Sequence, residues 1–222
     1  MSDGPKNGDP VIEVRGLKNA FGDQVVHEGL DLTLQRGEIL GVVGGSGTGK
    51  SVLMRSIIGL QTPEAGEIEV FGEPMIGRDE EEAKHVRRRW GVLFQGGALF
   101  STLTVAENIQ VPIKEFYPGI GPELLFLDEP TAGLDPIGAA AFDQLISELR
   151  DALGLTVFLI THDLDTLHAI CDRVAVIADR KVIAIGTIPE LLALDHEWIQ
   201  EYFNGPRGRA AATIAEREEA GA

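Results

Sequence analysis

The chain has 222 residues, 44% of them hydrophobic, which is the size and apolar content of one α/β domain with a core of its own. Its formal net charge of −16 excludes a nucleic-acid-binding face, because an acidic surface repels phosphate backbones. A single cysteine, Cys171, excludes an intramolecular disulfide and fits a reducing compartment; no run approaches the ~18 apolar residues of a membrane-spanning helix, so a role at a membrane requires a partner.

Residues 1–10 are polar and rich in Gly and Pro, without the apolar stretch of a signal peptide, and read as a flexible tail. Strands are expected at 11–17 and 26–35 around a turn at FGDQ. The apolar run 38–44 is a short strand that ends in a glycine loop, and 49–60 has helical spacing with Leu53, Ile57 and Leu60 on one face. A strand at 66–72 precedes a charged helix at 79–89 whose acidic start and basic end suit the helix dipole. Further on come a strand at 91–95, a helix at 104–113, a turn at 117–122 and a buried strand at 124–128. A long amphipathic helix at 136–153 follows, with Pro136 in its first turn. The remainder reads as a central strand at 155–162, a helix at 163–172 holding Cys171 as a buried apolar residue, strands at 173–178 and 181–185, and a helical end at 188–203. Residues 204–222 read as a C-terminal tail. Alternation of strands and helices implies a mostly parallel sheet covered on both faces.

Two motifs carry chemistry. Gly44, Gly45, Ser46, Gly47, Thr48, Gly49, Lys50 and Ser51 form a G-x-x-x-x-G-K-S loop between an expected strand and an expected helix. Glycines let such a loop wrap phosphates with its N–H groups inward, and the helix N-terminus adds positive potential. Lys50 is placed for the β- and γ-phosphates and the Ser51 hydroxyl for Mg²⁺. At the end of the strand 124–128, Asp128 is placed to hold Mg²⁺ through water, and Glu129 to polarise an attacking water. His27, His85, His168 and His196 read as surface or structural residues. No Cys/His cluster has the spacing of a zinc site.

With Gln95 in LFQ, LDEP at 127–130, Asp135 in TAGLDP and His162 in LITH, the series resembles ABC transporter ATPase subunits. The order and flanking residues match over about residues 11–195. The resemblance implies a P-loop NTPase (RecA-like) α/β core with a mostly parallel sheet and an N-terminal antiparallel β part. It implies that Gln95 contacts Mg²⁺ and the membrane subunit, that His162 contacts the γ-phosphate, and that Asp135 couples two protomers. Phe21 stands where the family stacks an aromatic on adenine, with ordinary core packing as the alternative. Val52 stands where a second hydroxyl residue commonly follows Ser51. Three strings, GTGKSVLMRSIIGL, LFQGGALFSTLTVAENI and LFLDEPTAGLDPI, are similar to the ATPases of Mla/Mce-type lipid transporters. That likeness implies ATP and Mg²⁺ as cofactors, an integral-membrane permease and a second ATPase protomer as partners, and a place on the cytoplasmic face of the inner membrane.

The family also carries a helical subdomain, ending in an LSGGQ signature, between the positions of Gln95 and Asp128. No LSGG-like string occurs in this chain. Three helices of ~11 residues and two loops of ~5 need roughly 43 residues, whereas 96–123 supplies 28. An ABC-type nucleotide-binding domain at 11–203, internally truncated at 96–123, is the expectation. In the family the signature helix of one protomer closes the ATP site of the other, so the truncation implies binding with strongly reduced hydrolysis in a homodimer, and one composite site at most beside an intact subunit. A nucleotide-binding module without useful turnover is the second reading. A P-loop GTPase or kinase is the third, disfavoured because no NKxD-type guanine reader is present.

Overall fold

A computed structural model describes residues 10–78, 80–94 and 122–205 of the chain. Gln95, the expected helix 104–113 and most of the expected turn 117–122 lie outside these residues, as do 1–9 and 206–222.

Two sheets stack. The first is antiparallel, in the order β2-β1-β4-β5, built from β1 (Pro10–Phe21), β2 (Gln24–Gln35), β4 (Ala65–Val70) and β5 (Glu73–Pro74). The second has six strands in the order β10-β9-β3-β8-β7-β6: β3 (Ile39–Gly44), β6 (Trp90–Leu93), β7 (Leu124–Asp128), β8 (Thr156–Ile160), β9 (Arg173–Ala178) and β10 (Lys181–Gly186). β6, β7, β8, β3 and β9 run parallel, and β10 closes the edge antiparallel to β9.

Period-two alternation divides the six-stranded sheet between two cores. Phe126, Phe158, Leu40 and Val42 face the antiparallel sheet and the helix α1 (Lys50–Ile57), where Leu53, Met54 and Ile57 are buried beside Ile12, Leu32 and Ile68. Leu125, Leu127, Val157 and Leu159 face the opposite side and pack on Phe142 and Ile146 of α3 (Pro136–Leu153). Each such side chain contributes roughly 1.5–3 kcal/mol by leaving water. A third cluster joins Val43, Val174 and Val176 to α4 (Leu164–Ile170), α5 (Ile188–Leu192) and α6 (Glu197–Asn204). The remaining helix, α2 (Glu80–Arg87), precedes β6.

The strand expectations hold in position, but three details differ. α1 stops at Ile57 because Gly59 takes φ +79°, and Leu60 is therefore 65% exposed rather than on the buried face. The helical end at 188–203 is two helices: α5 is opened by a capping box of Thr187 and Glu190 and ends at Leu192, and α6 begins after His196. Cys171 ends α4 rather than lying within it, with its thiol buried against Gly41 and its pKa pushed up by that burial.

β7 pairs with β6 in regular parallel register. Trp90 to Leu93 pair with Leu124 to Leu127. Glu123 fixes the entry: it takes Arg89 on two oxygens, at 2.7 and 3.0 Å, and Arg36 at 3.0 Å. Arg89 in turn lies 3.6 Å over the Phe71 ring. The adjoining arginines hold the Glu123 carboxyl below the usual range.

Candidate functional site

The predicted motifs meet at the C-terminal ends of β3, β7 and β8, the edge where open α/β sheets place ligands. β3 ends at Gly44, where a Cβ would lie 2.5 Å from the Ile177 carbonyl oxygen, so strand crowding alone requires glycine. The loop then tightens: the Thr48 hydroxyl donates to the Gly45 carbonyl at 2.9 Å, and Gly47 and Gly49 take φ +78° and +94°. Ser46 and Gly47 form the exposed side of this loop, and Gly45 is half-buried. Gly49 is the residue before α1, so Lys50, Ser51 and Val52 occupy the first helical turn with its free N–H groups. Val52 gives its carbonyl to the Ser56 hydroxyl at 3.0 Å.

Lys50 Nζ donates to the carbonyls of Gly44 at 2.8 Å and Gly45 at 3.1 Å, which holds the ammonium across the loop. Burial lowers its pKa, while the nearby Glu129 and Asp128 carboxylates favour the charge. The phosphate loop and the acidic strand end therefore share one electrostatic site. Asp128 is 4% exposed, and its Oδ1 is buried without a partner among the described residues. An unsatisfied carboxylate oxygen in the same electrostatic site as Lys50 fits an inner-sphere water of Mg²⁺.

Glu129 takes φ +51°, a conformation that costs a non-glycine residue about 1 kcal/mol or more. Its N–H donates to the Ile160 carbonyl at 2.8 Å, which ties the strained residue to the end of β8. From there Glu129 Oε2 reaches His162 Nδ1 at 2.7 Å. The carboxylate is nearly buried, and the imidazole is 73% exposed. One end of the histidine is thus oriented by the carboxylate, and most of the ring is exposed.

Asp135 lies at the N-cap of α3, where Oδ1 accepts from the Gly138 N–H at 2.8 Å. Its other oxygen faces outward at an exposed position. Phe21, at the end of β1, is 49% exposed, which rules out ordinary core packing and leaves an aromatic face available for stacking. Gln95 lies outside the described residues.

His27, expected to be a surface or structural residue, is not at the surface. It is fully buried, and its Nδ1 lies 3.1 Å from the Asn19 amide nitrogen. A Cβ at Gly49 would stand 2.5 Å from its Nε2. The signal available was Gly29: at φ +69° it breaks the alternation of β2, so His27 is turned inward out of phase with Leu30, Leu32 and Leu34.

The model of the family described as ABC transporter matches residues 27–156, more than half the chain. The methionine import ATP-binding protein MetN of Nocardia farcinica is 35% identical over 232 aligned positions, covering 83% of this chain and 69% of that protein. The chain belongs to the ABC transporter family. It is an ATP-binding subunit of the ABC ATPase kind, whose reaction is ATP hydrolysis. The intermembrane phospholipid transport ATP-binding protein MlaF of Haemophilus influenzae is 31% identical, covering 88% of this chain and 90% of that protein. Among solved structures, cbiO1 of Clostridium perfringens, part of the ABC transporter complex cbiONQ, superposes with TM-score 0.68 at 25% identity, covering 94% of this chain and 99% of that one. The dimeric ABC transporter cassette MJ0796 gives TM-score 0.68 at 22% identity, a likeness of fold.

These ABC relatives are longer between their matched ends. The MlaF alignment has 239 positions, but 88% of 222 residues is about 195, so about 44 positions have no counterpart in this chain. The MetN alignment leaves about 48 unmatched by the same reckoning. No helix among the described residues is long and apolar enough to cross a membrane.

Proposed function

We propose that this ABC subunit serves a lipid-transport system, binding ATP·Mg²⁺ while turning it over far more slowly than its intact relatives. One pairing carries the reading: a phosphate loop facing a carboxylate pair stands in a chain short of about 44 family positions. That shortfall equals, within a few residues, the helical subdomain that 96–123 cannot hold.

In this reading Lys50 binds the β- and γ-phosphates, Ser51, Asp128 and Gln95 hold Mg²⁺, and Phe21 stacks on adenine. Gly44, Gly45, Ser46, Gly47, Thr48 and Gly49, with the first turn of α1 through Val52, offer backbone N–H groups to the phosphates. Glu129 orients the attacking water, His162 senses the γ-phosphate, and Asp135 faces a second protomer. Bound Mg²⁺ would neutralise charge developing on the phosphate oxygens. What is missing is the opposite wall. Positioned N–H groups that meet developing charge are worth about 10²–10³ in rate, and without a signature helix the homodimer forgoes them. An intact subunit could donate its own signature to the site on this chain. The domain runs over 11–203, with 1–10 and 204–222 as tails, and sits on the cytoplasmic face of a membrane through a permease.

Two observations favour lipid cargo over the methionine and ribonucleotide cargoes named in other relatives. The phospholipid-transport relative is matched over 90% of its length, against about 70% for those two. Two of the Mla/Mce-like strings, GTGKSVLMRSIIGL and LFLDEPTAGLDPI, lie at the site itself.

The test is to compare nucleotide binding and phosphate release by the full chain alone. The expected outcome is micromolar ATP affinity with release about 100-fold below that of an intact relative. Turnover equal to the relative's defeats the truncation argument. Co-purification with a methionine-type permease, and not with a lipid-transport permease, defeats the lipid reading.

A further inference from the structure

The wall behind the phosphate loop is polar where a packed wall is ordinarily apolar. His27 from β2, Asn19 from β1 and Ser56 from α1 are buried to within 2% of complete, and they bond to one another. Ser56 Oγ has one hydrogen and two acceptors within reach, the Val52 carbonyl at 3.0 Å and Asn19 Oδ1 at 3.3 Å. Its lone pairs accept from Asn19 Nδ2 at 3.1 Å. The second hydrogen of that amide points to His27 Nδ1 at 3.1 Å. An imidazole that accepts at Nδ1 carries its proton on Nε2.

That N–H points at the loop. A Cβ at Gly49 would fall 2.5 Å from Nε2 and 2.4 Å from Val26 Cγ1, so the ring lies directly against the loop backbone. Nε2 is buried and has no hydrogen-bond partner among the described residues. Burial drives the ring's pKa down to about 4, against the opposing pull of the Thr48 and Gly49 backbone, so the ring is neutral at physiological pH. A buried donor left unsatisfied beside a ligand loop is destabilising unless some state of the loop satisfies it.

We propose that His27 is a positioning residue for the nucleotide: its Nε2–H takes a backbone carbonyl of the phosphate loop at Thr48–Gly49 when the loop closes on phosphate. The inference rests on the ATP site proposed above. The antiparallel sheet that ends in Phe21 then holds the nucleotide from both sides, the aromatic at one end and the loop backbone at the other. Asn19 fixes the tautomer, and Ser56 ties Asn19 to the helix that carries Lys50. The chemistry is a donor at one point in space, so it separates from ordinary packing by substitution. Glutamine can place an amide N–H near the Nε2 position. Asparagine reaches only the Nδ1 position. Phenylalanine fills the space and donates nothing.

The experiment measures displacement of trinitrophenyl-ATP by MgATP, and the melting temperature without nucleotide, for the full-length chain and for His27→Gln, His27→Asn and His27→Phe. Loss of one satisfied hydrogen bond predicts affinity about tenfold weaker for His27→Phe and His27→Asn. His27→Gln is expected within about threefold of the unaltered chain. Affinity then does not follow melting temperature: the better-packed Phe variant binds worse than the less well packed Gln variant. An unaltered chain that binds while His27→Phe binds equally well, or affinities that rank with the melting temperatures, overturn the inference alone. An unaltered chain that binds no nucleotide overturns both the inference and the reading beneath it.

Discussion

Glu129 and His162 meet at 2.7 Å from the ends of adjacent strands, the carboxylate nearly buried and the imidazole mostly exposed. The pair is held by the backbone, because the Glu129 N–H is bonded to the Ile160 carbonyl two residues before the histidine. Glu129→Gln preserves shape and one acceptor while removing the carboxylate proposed to orient the attacking water. ATP affinity is expected to stay within about threefold, and phosphate release at any competent site to fall by about 10²–10⁴. Single-turnover phosphate release beside equilibrium binding checks this. Equal losses in both would assign Glu129 to binding instead.

Lys50 stands across the loop on the carbonyls of Gly44 and Gly45. Lys50→Ala removes the one positive side chain that the Asp128 and Glu129 carboxylates feel in the loop. Affinity for ATP is expected to fall by at least about 100-fold, the equivalent of two charge-assisted hydrogen bonds. Isothermal titration gives the affinity, and an unchanged circular dichroism spectrum shows that the fold is intact.

Glu38 and Arg173 join the two sheets. Glu38 is 7% exposed and receives Arg173 at 2.7 and 2.9 Å as well as the Gln35 N–H at 2.7 Å. Removing one partner leaves a nearly buried charge alone, which costs about 3 kcal/mol. Arg173→Met is therefore expected to lower the urea midpoint with little change in slope, whereas the double variant with Glu38→Leu recovers part of the loss.

Two buried groups pull stability in opposite directions with pH. His27 titrates at about 4 rather than 6.5, so the unfolded chain binds its proton first, and stability falls as pH drops from 6.5 to 4. Asp143, whose Oδ2 accepts from the Thr166 hydroxyl at 2.8 Å, is pushed by burial up to about 6. The folded chain holds that proton first, so stability falls as pH rises from about 4 through 6. Each effect is worth up to about 3 kcal/mol. Asp143→Asn is expected to stabilise at pH 7.5 by about 2 kcal/mol and to be nearly neutral at pH 4.5. Chemical denaturation at the two pH values decides it, and an equal effect at both would exclude a titrating Asp143.

The parts legible in the sequence were those with local, repeated constraints. Strand β3 running into GGSGTGKS, and LLFLD running into Glu129, are fixed by apolar runs that end in residues with few alternatives. α3 was readable to its ends because Asp135 caps it, Pro136 opens it and Gly154, at φ +66°, closes it. The illegible parts depend on a backbone irregularity or on partners distant in the chain. Gly59 ends α1 before Leu60 can share its buried face. Gly29 reverses the phase of β2, and with it the fate of His27. Asn19, which joins that histidine to Ser56, lies 8 residues from the one and 37 from the other. The bond between Glu129 and His162 was foreseeable only as two motif positions. The left-handed turn at Glu129 that creates it leaves no mark in the sequence.

The most direct test mixes this chain with an intact homologous subunit whose own catalytic glutamate is changed to glutamine, and follows phosphate release. Only the composite site, with Lys50, Glu129 and His162 from this chain and the signature from its partner, could then turn over. Silence of each component alone, and release from the mixture that vanishes when Glu129→Gln is also introduced here, is the result expected. Rapid release by this chain alone, undiminished by the partner's absence, would contradict the account.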